Sequence, residues 1–272
     1  MAYSADQHTH SEYSMDSQNR IEDVCEKAIA MGLCELVITD HCDLNSNVMI
    51  SSLEPPYEAE KAYKAMCSYR DKYKDKIKIS VGIELGQAHD CPEKANEILK
   101  KYSYDQVIGS VHNLRGMPDF YLMAFYKLTG RQCQIFLTQY FKELEEIVDL
   151  GYFDTLAHLT YPLRYFKEGG HEISLEPHMP AIKRIFEKLI SQGKALEVNT
   201  SGYRKDLGCP LPDLDILKLY YDMGGRLITV GSDAHYVEDI GCDIQRTYDE
   251  LKKIGFTHIV SFTGRKPELK EI

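Results

Sequence analysis

No run of about 18 uninterrupted apolar residues occurs in the 272-residue sequence, and its start, MAYSADQHTH, lacks the basic end and apolar stretch of a secretion signal. These absences predict a cytoplasmic protein with no membrane partner. Positive charge is also in deficit: 32 Lys and Arg against 42 Asp and Glu leave a net charge of -10, a sign that repels polyanions. Nucleic acid is therefore excluded as a general partner. Neither GxGxxG nor GxxxxGK[ST] is present, which removes both nucleotide-binding fingerprints. The eight cysteines, at 25, 34, 42, 67, 91, 133, 209 and 242, form no CxxC pair and no regular spacing, so they are read as reduced, mostly buried thiols and not as a disulfide framework or zinc knuckle.

What is present is the composition of an ordinary folded chain, 43% hydrophobic and 27% charged, with enough apolar material for a sizeable core. The length is less than twice that of an average domain and is common for one α/β barrel, so residues 1–272 are expected to form a single domain. Short apolar or β-branched runs recur at Ala5–His8, Glu35–Asp40, Ile77–Leu85, Gln106–Val111, Asp154–His158, Ala195–Asn199 and Leu227–Gly231. Segments of helical period lie between and after them, at Ile21–Met31, Tyr57–Tyr73, Pro92–Lys101, Gln132–Leu150, Pro177–Ser191, Leu214–Met223 and Ile244–Ile254. Gly32, Gly151, Gly193 and Gly224 stand where helices end and a left-handed residue is wanted. Seven β-α units of this kind imply a parallel sheet, and they fit a closed (β/α)7 barrel better than two domains. His258–Phe262 has the pattern of a further short strand, and residues 117–130 and 161–176 read as long loops able to cover a site.

Six of the ten histidines fall at or just beyond the C-terminal ends of the expected strands, where barrels build their active sites. His8 and His10 are two apart on extended chain, so both side chains point the same way and can grip one ion. Asp233 and His235, in GSDAH, repeat the arrangement. Asp40 and His41 end the second strand, Glu84 lies in GIELG, His112 in GSVHN and His158 in TLAHL. Packing requires no His or Asp at one end of nearly every strand, and burying so many ionisable groups together is costly unless cations compensate them. A cluster of divalent ions is the economical explanation; imidazole and carboxylate without thiolate suit zinc, manganese or iron.

The succession DQHTHSEYSMDS, VITDHCD, VGIELG, IGSVHNL, DTLAHLTYPLRY, LEVNTSGYR and ITVGSDAH closely resembles the polymerase and histidinol phosphatase (PHP) family, in particular its histidinol-phosphate phosphatases. The resemblance spans essentially the whole chain, in order. It implies a distorted seven-stranded, TIM-like β/α barrel with three divalent cations at its mouth. It further implies that His8, His10, Glu84 and Asp233 hold the first ion, that Glu84 bridges to a second held with His112 and His158, and that Asp16, His41 and His235 hold the third. Some members of the family have histidine where Asp16 stands. Asp40 points away from His41 on extended chain and is expected to act from behind the ligands. His89, His171, His178 and His258 match no motif and are read as loop or surface residues.

Arg164 and Arg204, each close behind a motif strand, are the cations expected to grip a phosphate monoester in bidentate fashion. The implied reaction is hydrolysis of L-histidinol phosphate in histidine biosynthesis, with Glu84 under a hydroxide shared by the first two ions and Asp233 as the proton carrier. The organic half of such a substrate carries an imidazole and an amine, and so calls for acidic or aromatic groups; Tyr161, Tyr165, Phe166, Tyr203 and the stretch 120–126 are at hand. Cys42 is not expected to be a nucleophile, because the histidines near it are committed to metal. Two other readings stand beside this one: a related enzyme acting on a sugar phosphate, a nucleotide or a phosphotyrosyl protein, and a metal-binding module without catalysis.

Overall fold

The computed structural model describes residues 3–45, 57–204 and 207–272. Each of the seven expected strand positions is a strand: β1 (Ala5–Thr9), β2 (Glu35–Ile38), β4 (Lys78–Gly86), β5 (Gln106–Ser110), β6 (Thr155–Leu156), β7 (Ala195–Asn199) and β8 (Ile228–Gly231). They pair in parallel in the order β1-β2-β4-β5-β6-β7-β8, and β3 (His41–Asp43) adds to β4 beyond the end of β2. The sheet curls until its first and last strands meet. Thr9 bridges Ala234 in parallel, and the Asp233 N–H donates to the His8 carbonyl at 2.8 Å. Almost every strand residue is buried, as expected of a barrel with side chains filling its interior and helices covering its outside.

Those helices are α1 (Ile21–Ala30), α2 (Ala59–Tyr73), α3 (Pro92–Lys101), α4 (Gly130–Leu150), α5 (Pro162–Glu168), α6 (Met179–Gln192), α7 (Ser201–Arg204), α8 (Leu214–Asp222) and α9 (Ile244–Ile254). Their ends follow local chemistry. A reciprocal capping box of Thr129 and Gln132 starts α4, two residues ahead of the boundary expected from periodicity, and Gly151 ends it at φ 65°. The long segments 117–130 and 161–176 are not bare loops: the first winds through two 3-10 turns, Phe120–Leu122 and Phe125–Lys127, and the second contains α5.

Two strands, β2 and β6, are shorter than their patterns by two residues or more. β2 stops at Ile38 because Asp40 turns to the β1–α1 loop, where its carboxylate accepts the Ser11 N–H at 2.6 Å and the hydroxyls of Ser11 and Ser14. β6 shrinks to two residues, since the His158 N–H donates to the Glu197 carboxylate at 2.7 Å and not to a neighbouring strand. The chain ends in an antiparallel hairpin, β9 (His258–Thr263) and β10 (Lys266–Glu271), which includes the expected strand at His258–Phe262. It plugs the N-terminal end of the barrel. Gln7 donates to the Val260 carbonyl at 2.7 Å, Lys78 donates to Ser261, and Arg265 forks onto Asp154 at 2.9–3.2 Å. The opposite end is left open for the site.

Candidate metal centre

At that open end the strand termini deliver their ionisable side chains to one place. β1 and its extension carry His8 and His10, the β1–α1 loop Asp16, β3 His41, β4 Glu84, the ends of β5 and β6 His112 and His158, and the turn after β8 Asp233 and His235. Glu84 lies at the centre, wholly buried. Its Oε2 is 2.8 Å from His41 Nδ1, 3.2 Å from His8 Nε2 and 3.6 Å from His10 Nε2; its Oε1 is 3.0 Å from His112 Nε2 and 3.1 Å from His158 Nε2. One carboxylate thus faces two groups of imidazoles through its two oxygens. Asp233 Oδ1 stands 3.3 Å from His10 Nε2 and 3.7 Å from His8 Nε2. Asp16 reaches His235 Nε2 at 3.0 Å and His41 Nε2 at 3.7 Å, and is the one half-exposed member.

These atoms group into possible ion cradles: His8, His10 and Asp233; Glu84, His112 and His158; His10, His41 and His235; and His41, Asp43 and His112, with the ligating atoms of each set within 4.8 Å of one another. The donor set fits divalent cations on a specific observation. His8 Nε2, His10 Nε2, His41 Nδ1 and Glu84 Oε2 are buried and lie close together, yet none of them makes a well-directed hydrogen bond among the described residues. His10 is also stacked between His41 and His235 at ring distances of 4.2 and 4.1 Å, an arrangement that repels if the rings are charged. Burial, and then the proximity of His235 and His41, holds His10 well below the ordinary histidine range; burial likewise lowers His158. Burial opposes ionisation of Glu84 and Asp233, yet the surrounding imidazoles hold both well below the usual carboxylate range. Against the effect of burial, those carboxylates together with Glu197, Asp16 and Asp43 hold His8, His41 and His112 above the ordinary histidine range, His41 at about 10; a divalent ion would displace these protons and take the imidazole lone pairs beside ionised carboxylates.

Behind these side chains stands a layer of which the sequence reading named only Asp40. Glu197, buried in β7, accepts from His8 Nδ1 at 2.5 Å, leaving Nε2 of His8 to face Glu84 and Asp233. Asp43 lies 2.9 Å from His112 Nδ1 and does the same for that ring. Ser14 links His10 Nδ1 to Asp40, so Asp40 acts from behind, as expected. A signal for Glu197 was present: a carboxylate in the middle of the apolar strand ALEVN has to be satisfied inside the barrel. Asp43 had a weaker one, its place two residues beyond His41 in VITDHCD, but its partner His112 depends on the register of β3 on β4.

Two glycines leave room for this packing. A Cβ on Gly86 would fall 1.7 Å from Asp43 Oδ1, and one on Gly231 would fall 2.3 Å from the Cβ of His8. Asp233 itself holds φ at 54°, a left-handed conformation that few non-glycine residues adopt outside functional turns.

Above the cluster opens a pocket of about 310 Å³, whose walls include Asp16, His41, His112, His158, Asp233, His235 and Arg164. Arg164 donates to the hydroxyls of Tyr161 and Tyr165 at 3.0 and 2.8 Å and stacks on both rings, with Nη1 4.0 Å from Asp233 Oδ2. Arg204 does not line that pocket. It braces the turn from behind, Nη2 donating to the Ser232 carbonyl at 2.6 Å, while its Nη1 is buried without a partner among the described residues. Of the four unmatched histidines, His89 and His178 are buried structural residues, one paired with Glu143 at 3.1 Å and the other with Gln134 at 2.6 Å. Cys42 is also buried, and burial pushes its thiol up to about 12, so it stays protonated.

The family model described as the PHP domain matches residues 6–201, about seven-tenths of the chain. The chain belongs to the PHP family. The matched span holds His8, His10, Asp16, His41, Glu84, His112 and His158, whereas Arg204, Asp233 and His235 lie beyond it. Among PHP relatives, a protein of Clostridium acetobutylicum named "Probable histidinol-phosphatase" is 31% identical over 241 residues, covering 88% of this chain and 89% of the relative. The histidinol-phosphatase of Lactococcus lactis is 28% identical over 266 residues, covering 96% and 95%. A crystal structure of histidinol phosphate phosphatase from Lactococcus lactis, complexed with zinc, L-histidinol and phosphate, superposes with a TM-score of 0.81 over 98% of this chain and 100% of the other, at 24% identity. That likeness shows the shared barrel of this PHP chain.

Proposed function

We propose that this chain hydrolyses the phosphate monoester L-histidinol phosphate to L-histidinol and phosphate, a step of histidine biosynthesis. The observation that carries the reading is the gathering of nine ionisable side chains, Glu84 at their centre, with buried polar atoms lacking a good hydrogen bond among the described residues, beneath a pocket walled by Arg164. Its relatives' names and the histidinol and phosphate bound by the Lactococcus structure supply the substrate. The pocket's volume is at the small end for ligand sites, which suits a small monoester better than a protein or polymer.

His8, His10, Glu84 and Asp233 are assigned to a first divalent ion, Glu84, His112 and His158 to a second, and Asp16, His41 and His235 to a third, with zinc, manganese or iron all suited to these ligands. Bound there, the ions would lower the pKa of water so that hydroxide is available at neutral pH, and would neutralise the phosphate charge. The chain's own residues then do the rest. Arg164, fixed at the pocket wall by two tyrosine hydroxyls, holds phosphoryl oxygens and favours the more highly charged transition state, whereas Arg204, outside that pocket, steadies the turn that carries Asp233 through the Ser232 carbonyl. Asp233, ionised and 4.0 Å from Arg164, accepts the proton of the attacking water and returns one to the leaving alcohol. Glu197 and Asp43 keep the His8 and His112 tautomers in place. The direct test is phosphate release from a panel of monoesters by the purified, metal-loaded protein: preferred turnover of L-histidinol phosphate is expected, and preference for a sugar phosphate, a nucleotide or a phosphotyrosyl peptide would reassign the substrate.

A further inference from the structure

One acidic side chain in the pocket is left over once the cluster is assigned. Asp119 lines the cavity with Arg164, Tyr161, Tyr165 and Asp233, yet belongs to none of the ion cradles. The next residue, Phe120, fixes its position: it is fully buried against Phe136, Tyr140 and Tyr161, and its N–H donates to the His112 carbonyl at 2.9 Å. Asp119 accepts the Tyr121 N–H at 2.7 Å through Oδ1, and among the described residues it pairs with no lysine or arginine. The ionisable groups that face it are His112, Asp43 and His41 from the cluster, and Tyr161 and Tyr165. Met15, Tyr121 and Leu122 border the same cavity and are 46%, 78% and 58% exposed, apolar surface for a small ligand to cover.

A carboxylate held by rigid backbone at a pocket wall, without a cation of its own, awaits one from the ligand. We propose that Asp119 is the specificity determinant of this site: it pairs with a protonated nitrogen on the alcohol half of the substrate, so that the pocket selects cationic phosphate monoesters over neutral ones. The inference rests on the phosphatase reading above and adds the residue that recognises the leaving group.

The test compares wild type with Asp119→Asn and Asp119→Glu, all metal-loaded and matched for metal content and circular dichroism. The readouts are kcat/KM for L-histidinol phosphate and for p-nitrophenyl phosphate, which has no amine, and the affinity for L-histidinol by calorimetry. Loss of a charged pair should lower the ratio of the two kcat/KM values about tenfold or more in Asp119→Asn, with partial recovery in Asp119→Glu, and weaken L-histidinol binding by a similar factor. An unchanged ratio, whether both activities persist or both fall together, would overturn the proposal. Wild type that turns over no monoester would refute the phosphatase reading alone. L-histidinol binding then still decides Asp119: weakened binding in Asp119→Asn sustains it, and equal or absent binding in both proteins refutes it.

Discussion

Glu84 is the residue on which the account turns, because it faces five imidazoles through two oxygens. Glu84→Gln preserves size and removes the charge proposed to be shared by two ions, so turnover should fall at least about a hundredfold and bound metal should drop, with little change in far-UV circular dichroism. Full activity at undiminished metal content would refute the bridging role. Cys42 offers the opposite expectation. Its thiol, pushed up to about 12 by burial, is not a nucleophile at neutral pH, so Cys42→Ser should stay within a few-fold of wild type. Asp233→Asn should instead cost about a hundredfold or more, since it would weaken the proposed first ion site and remove the proposed proton carrier together. A dead Cys42→Ser beside an active Asp233→Asn, measured by phosphate release, would reverse the chemistry. At this scale the side chains that gather around Glu84 were legible as candidates, because all but Asp16, which lies in the β1–α1 loop, stand at or just beyond strand ends in recognisable motifs. Asp119 was not, since its place is set by the anchoring of Phe120; Asp43 and Glu197 stand inside VITDHCD and LEVNTSGYR, but their places behind His112 and His8 depend on strand register, which the motifs do not show.

At the scale of elements, the cluster exists because neighbouring strands end level with one another and the turn after β8 comes back against β1. Gly231 is the point of closest approach, and Gly231→Ala would press a methyl group onto His8. Overpacking of this kind costs about 1–3 kcal/mol, so Tm should fall and, if the displacement is absorbed by His8, metal affinity should fall with it. Unchanged Tm and metal content would show that the two strands can part freely. Strand and helix positions could be read from period alone, whereas boundaries moved wherever a side chain took over a backbone group: Asp40 ending β2, Glu197 capturing the His158 N–H, Thr129 and Gln132 starting α4 early. Such substitutions are invisible to hydrophobic patterning, which registers burial but not hydrogen-bond partners.

For the whole molecule, the barrel is plugged at one end by a hairpin and opens at the other onto its cluster of ionisable side chains. The terminal hairpin could be anticipated only as one strand, because its partner, Lys266–Glu271, is almost entirely exposed and shows no buried alternation. Arg265→Ala should destabilise the fold by about 1–3 kcal/mol, by leaving the buried Asp154 carboxylate without its fork, while metal content stays unchanged. Equal Tm in the variant would mean that the plug is dispensable. A chain that buries this many imidazoles and carboxylates at one mouth should also gain stability from ions that bind only the folded state. The most direct measurement of the central claim is a titration of divalent metal into the chelated protein, following bound metal, Tm and phosphate release from L-histidinol phosphate together. The account predicts that chelation abolishes turnover and lowers Tm, and that zinc, manganese or iron restores both as the cluster fills. Undiminished turnover in protein free of metal would contradict it.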